Sequence, residues 1–201
     1  RQCGVGVLPL DVNLSAKEYV VEPSDDPAGH AIRLALGEVK GISDAEVDRI
    51  LAARPFVSLA DLWQRARTSR PVVERLVLAG ALDQVHGIAA PGAELGARTR
   101  TTRRDLLLRV AELERGDRAD RRQGRGRRTG VRSAASADVR DRAAAQVRPP
   151  RPAALESVQL SLDVEADVAT PSGLPELSLG ERTAAELEIL GLDVSSHVLS
   201  D

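Results

Sequence analysis

Residues 39–47, Val-Lys-Gly-Ile-Ser-Asp-Ala-Glu-Val, leave the backbone few options. Ser43 and Glu46 have the S-x-x-E spacing of a capping box, in which each side chain satisfies an amide donor at a helix start. A helix is therefore expected to begin just after Ser43. Ile42 and Val47 flank that start as the two halves of a hydrophobic staple. Gly41 stands where a tight turn needs positive φ, which glycine takes without a Cβ penalty. The reading is a hairpin between two helices with Lys40-Gly41-Ile42 as its turn. Such a turn leaves backbone N–H groups facing outward beside a helix N-terminus, a place for one phosphate of a nucleic-acid backbone. A plain, well-capped connection between two helices fits the same residues.

The core open to such helices is aliphatic. Hydrophobic residues make up 42% of the 201, yet there is one Trp, one Tyr, one Phe and no Met. Packing then falls to Leu, Val and Ala, which favours small helices over a large sheet sandwich. No apolar run reaches the roughly 18 residues of a membrane helix, and Arg1 to Leu10 lacks a signal-peptide layout. Cys3 is alone, which excludes a disulfide framework and a cysteine zinc set. Cytoplasm is the expected compartment, and the missing initiator Met is expected of a processed or truncated chain. The net charge of -2 hides a strong asymmetry. Residues 1–97 carry 10 basic and 13 acidic side chains, residues 98–151 carry 17 Arg and 7 acids, and residues 152–201 carry one Arg and 10 acids. Blocks of this kind mark linkers and tails.

Along the chain, residues 1–30 read as extended. Val5 to Asn13 and Tyr19-Val20-Val21-Glu22 are short strand candidates, with Pro9 placing the first at an edge. Ala31 to Leu36 leads into the hairpin. The helix over 43–53 turns Val47, Ile50 and Leu51 to one face, and Pro55 ends it. Ser58 caps the next helix, where Leu59, Leu62, Trp63 and Ala66 share a face. That phase points Trp63 into a core, although a lone Trp can also stack on a base. Ser69 caps a third helix over 70–79, with Pro71 in its first turn and Gly80 as its stop. Two turns in tandem, one with Lys40 and one with Arg70, are spaced to grip two phosphates of a duplex. Residues 98–115 hold another helix, with Leu106, Leu107, Val110 and Leu113 on one side. Residues 116–155 lose apolar periodicity and read as an Arg-rich disordered linker, either a solvated tether or a salt-sensitive nucleic-acid contact. Residues 156–201 form an acidic segment. In it Val158 to Asp163 alternates like an added strand, and Ser178 with Glu181 caps a helix that shows Ala184, Leu187 and Leu190 on one face and stops at Gly191.

Enzyme signatures are missing. There is no Gly-rich phosphate loop, no G-x-S-x-G, no H-E-x-x-H and no C-x-x-C. His30, His86 and His197 have no ligand spacing. Asp25-Asp26 lies in a Pro/Gly loop and makes a poor two-metal pair.

Three stretches carry a family resemblance. Ile32 to Ile42, Ser58 to Trp63 and Arg70 to Asp83 resemble the helix-hairpin-helix region of bacterial C-family DNA polymerases, the DNA polymerase III alpha subunits. The Trp-containing helix and the Arg-Pro-Val-Val-Glu-Arg-Leu run are most similar to the error-prone branch. Leu8 to Asn13 with Lys17-Glu18-Tyr19 is similar to the segment before that region. Gly173 to Glu176, through Glu186 to Val198, is similar to the lead-in to the family's OB-fold. The resemblance implies a fragment. In the family the PHP domain and the palm with its catalytic aspartates lie upstream, and the OB-fold follows. It implies template-directed nucleotidyl transfer with Mg²⁺ for the whole protein, with no catalytic residue and no cofactor in this stretch. For this stretch it implies a grip on double-stranded or primer–template DNA through Lys40, Gly41, Ile42 and Ser43, with Ser69 and Arg70 at the second turn. A sliding clamp and mutasome accessory proteins are the further partners it suggests.

The expected fold is mainly α: a tandem helix-hairpin-helix domain over 31–97, preceded by short N-terminal strands and followed by the linker and a C-terminal helix. A protein-interaction scaffold without DNA binding is the alternative, favoured by the net acidity of residues 1–97 and by segments suited to a partner groove. A regulator reading the major groove would need a recognition helix rich in Arg, Asn and Gln, and none is present.

Overall fold

The computed structural model describes residues 5–24, 28–88, 101–130 and 172–192. The chain forms two compact units, residues 1–115 with 167–201, and residues 116–166. The first unit opens with a small sheet of β1 (Gly6–Leu8), β2 (Val20–Pro23) and β3 (His30–Arg33) in the order β1-β3-β2. β3 runs parallel to β1 and antiparallel to β2, with Ile32 opposite both Val7 and Val21. The third strand falls in the stretch expected to lead into the hairpin. Four residues are too few for alternation to declare a strand, and here a ladder on each side selects it. Arg33, nearly buried, fastens β3 to β2 through Glu22, with Nε 2.5 Å from Oε1 and Nη2 2.7 Å from Oε2.

The element before the hairpin is a single 3-10 turn, Leu36–Glu38, and not a full helix. Leu36 N and Gly37 N donate to the carbonyls of Ala16 and Lys17, at 2.8 and 3.1 Å, which draws them out of a helical ladder. Gly37 lies so close to Lys17 O that an added Cβ would stand 2.8 Å from it.

Three short helices follow as the periodicity requires: α1 (Asp44–Ala53), α2 (Leu59–Ala66) and α3 (Arg70–Leu78). The Ser43 capping box forms, and Ser58 Oγ accepts from Asp61 N at 3.1 Å. At the C-terminal end of α2, Arg67 is left-handed, and Arg49 reaches over from α1 to donate to Ala66 O at 3.0 Å. Cations suit a helix C-terminus because its last carbonyls lack intrahelical partners. Val47, Ile50, Leu62, Val73 and Leu76 are fully buried between these helices, with Leu10 and Val12 closing the core from the sheet side. Trp63 packs partly buried against the same cluster, in line with its phase.

α4 (Asp83–His86), α5 (Arg103–Gly130) and α6 (Leu179–Leu190) complete the elements. The start of α5 is nailed down by Arg103, which is 4% exposed. Its guanidinium holds Asp83 at 3.0 and 2.7 Å and Leu78 O at 2.7 Å, while its backbone N–H donates to Glu176 at 2.8 Å. α6 is capped by Ser178 and Glu181 and ends at Gly191, φ 68, as its sequence requires. Its buried face is different from the expected one. Arg182, Thr183, Glu186, Ile189 and Leu190 point inward, whereas Ala184 and Leu187 are exposed. A face chosen by leucine spacing misses a helix that buries two charged residues. In the second unit only 116–130 is described. There α5 continues past the end of its apolar pattern, and Asp117 and Arg121 approach at 3.9 Å across one turn. Residues 131–155 of the Arg-rich stretch, the segment 158–163, Cys3 and His197 lie outside the described residues.

Leu76, at 0% exposure, tests the aliphatic core. Leu76→Ala is expected to lower unfolding free energy by about 2–5 kcal/mol in urea denaturation followed by circular dichroism.

Candidate nucleic-acid interface

The first turn is built by opposing demands on its amides. Gly41 takes φ 79, and Ile42 N closes the turn on Val39 O at 3.0 Å. Ser43 N and Ser43 Oγ both donate to Glu46 Oε2, at 3.0 and 2.7 Å, and Glu46 N donates back to Ser43 Oγ at 3.4 Å. Lys40 N donates to Ile189 O of α6 at 3.0 Å. These bonds use the amides of Lys40, Ile42, Ser43 and Glu46. They leave out those of Gly41, Asp44 and Ala45, which therefore form the donor set at this helix start. Lys40 is exposed beside them. Arg75 arrives from α3, donates Nη1 to Lys40 O at 2.7 Å and fills the space that a Cβ on Gly41 would need.

The second turn is occupied differently. Ser69 is the N-cap of α3 but makes no side-chain cap bond. Its N–H donates to Glu46 Oε1 at 2.9 Å, so one carboxylate serves both turns. Arg70 is held by two acids, Nε to Glu74 at 2.7 Å and Nη1 to Glu114 at 2.5 Å. The structure thus brings Lys40, Gly41, Ile42, Ser43 and Ser69 into one neighbourhood and sets Arg70 among carboxylates. Sequence reasoning missed three contributors. The capping box announces one oxygen of Glu46 and says nothing of the other. Arg75 carries no local signal, because its contact spans 35 residues. The Asp44 and Ala45 amides emerge only once the other donors are assigned.

His86 Nε2 accepts from Leu59 N at 3.1 Å, serving as a partner for the start of α2. Among the described residues no group of three or more His, Cys, Asp or Glu converges to hold a metal ion. No described helix is long and apolar enough to cross a membrane.

Burial pushes the Glu46 carboxyl up, but the hydrogen bonds from Ser69 and Ser43 outweigh it and hold the group at about 2, below its ordinary 4.5. A lowered folded value means that the stabilisation is fully present above about pH 4.5 and is lost as pH falls toward 2. Denaturation of the wild type against Glu46→Gln, from pH 7 to pH 2.5, is expected to give curves that differ most near neutrality and converge in acid.

Residues 4–89 match the family model described as the helix-hairpin-helix motif. An error-prone DNA polymerase of Symbiobacterium thermophilum is 31% identical over 99% of this chain, a stretch that makes up 18% of that protein. Error-prone DNA polymerase 2 of Rhizobium meliloti is 40% identical over 40% of the chain and 8% of its own length. An error-prone DNA polymerase of Corynebacterium glutamicum is 43% identical over 41% of the chain and 7% of its own length. The chain spans less than a fifth of these relatives. With its capped turn, its tandem short helices and these similarities, the chain matches the helix-hairpin-helix region of error-prone, C-family DNA polymerases.

Proposed function

We propose that this chain grips the sugar–phosphate backbone of double-stranded or primer–template DNA at its first turn, without reading base sequence. The observation that carries the reading is the trio of amides at Gly41, Asp44 and Ala45, uncommitted among the described residues and flanked by Lys40 and Arg75. Turn amides and a helix start suit one phosphate, and two cations beside them add a sequence-blind attraction. Ile42 and Ser43 shape the turn. Ser69 and Arg70 are a secondary contact, since Arg70 must exchange Glu74 and Glu114 for phosphate. On this reading the whole protein is an error-prone polymerase of replication, translesion synthesis and repair. It works in the cytoplasm with Mg²⁺ in a catalytic domain, and with a sliding clamp and mutasome proteins as partners. The competing reading is a protein-interaction scaffold, which the net acidity of residues 1–97 favours.

Fluorescence anisotropy of the full chain with short labelled duplexes of unrelated sequence separates the two. Equal affinity across sequences is expected, with log affinity falling against log salt at a slope of about −1 to −2, the release from one or two phosphates. Lys40→Glu is expected to weaken binding about tenfold and Arg70→Ala by about threefold at most. No binding at low salt by a folded chain would instead favour the scaffold.

A further inference from the structure

We propose that Glu46 is the positioning residue of the DNA grip: it locks the second turn against the first by holding the Ser69 amide. The inference rests on the reading of the first turn as a phosphate site and adds what sets its geometry.

Glu46 lies in the first turn of α1 and is 8% exposed. One oxygen takes the Ser43 amide and hydroxyl, and the other takes the Ser69 amide, 23 residues away. A second tie joins the same two elements, because Arg75 of α3 donates to Lys40 O within the first turn. The uncommitted amides lie between these two fastenings in sequence, at 41, 44 and 45. By charge alone a carboxylate beside a phosphate site opposes binding, so its removal should tighten the grip. If it positions the turn, its removal should loosen the grip. The two roles predict opposite signs.

The test compares three variants of the full chain, each checked for folding by circular dichroism. Glu46→Gln keeps the size of the side chain but removes the charge and one acceptor. Asp48→Asn removes an exposed charge from the same helix without touching either turn. Ile50→Val removes a buried methyl group from the same helix, away from the turn, and so controls for lost stability. Duplex affinity is expected to fall about fivefold in Glu46→Gln, a loss the size of one helix cap, to hold or rise in Asp48→Asn, and to stay within about twofold in Ile50→Val. Amide hydrogen exchange at Ser69 is expected to rise in Glu46→Gln beyond its level in Ile50→Val. Tighter binding by Glu46→Gln, or unchanged exchange at Ser69, would overturn the proposal. A wild-type chain that binds no duplex would overturn the DNA reading itself, while exchange at Ser69 would still decide whether Glu46 is the clamp.

Discussion

A carboxylate removed from water costs several kcal/mol unless donors surround it. Glu46 meets that demand with donors from two turns that are far apart in the chain. The starts of α1 and α3 are therefore tied to one side chain, and α2, which joins them in the chain, packs on α1. The aliphatic core then fills the space between these helices. Val47 and Ile50 of α1 are buried with Leu62 of α2 and with Val73 and Leu76 of α3. Small side chains allow helices of this length to approach closely, so the scarcity of aromatics is an asset here. The core supplies most of the attraction, and the carboxylate sets the register of the helix starts.

A second buried charge set does comparable work at the other end of α3. Burial pushes the Asp83 carboxyl above its ordinary range, although Arg103 pulls it back. Arg103 also takes Leu78 O, and its backbone N–H takes Glu176, which lies 3.6 Å from Arg182. These contacts sew residues 172–192 onto the body, with Arg103 and Glu176 bonded across 73 residues, a separation whose closure cost grows only slowly with length. The reward appears at the hairpin. The last turn of α6 supplies the carbonyl that accepts from Lys40 N. The segment after the Arg-rich stretch thereby helps decide which amides of the first turn remain free.

How much of this was legible in the sequence depended on the range of the signal. The starts of α1, α2 and α6 were legible because Ser43, Ser58 and Ser178 each cap within three residues. The inward faces of α1, α2 and α3 were legible because their apolar residues recur at helical spacing. β3 was not, since four residues between two ladders carry too little pattern. The face of α6 was misread because Arg182 and Glu186 are buried, Arg182 with Leu177 O and Glu176 as partners, so hydrophobicity pointed to Leu187, which is half exposed. At the candidate site Lys40, Gly41 and Ser43 declared themselves locally. Arg70 declared itself too, and Glu74 lies one turn on in the same helix, but Glu114, the other acid that holds Arg70, arrives by tertiary packing.

The sequence by itself determined the local grammar of the protein: where helices begin, where a glycine must turn, which residues are aliphatic enough to bury. Those properties depend on neighbours within a turn or two, where chain connectivity fixes the partners. Tertiary structure alone decided the uses of groups whose partners are remote. It gave Glu46 its second turn, placed Arg75 against Gly41, held Arg70 to Glu114 and set Ile189 O on Lys40 N. Hydrogen bonds and ion pairs act over a few ångströms whatever the separation along the chain, so only the packed fold could say which amides and cations the described residues leave uncommitted.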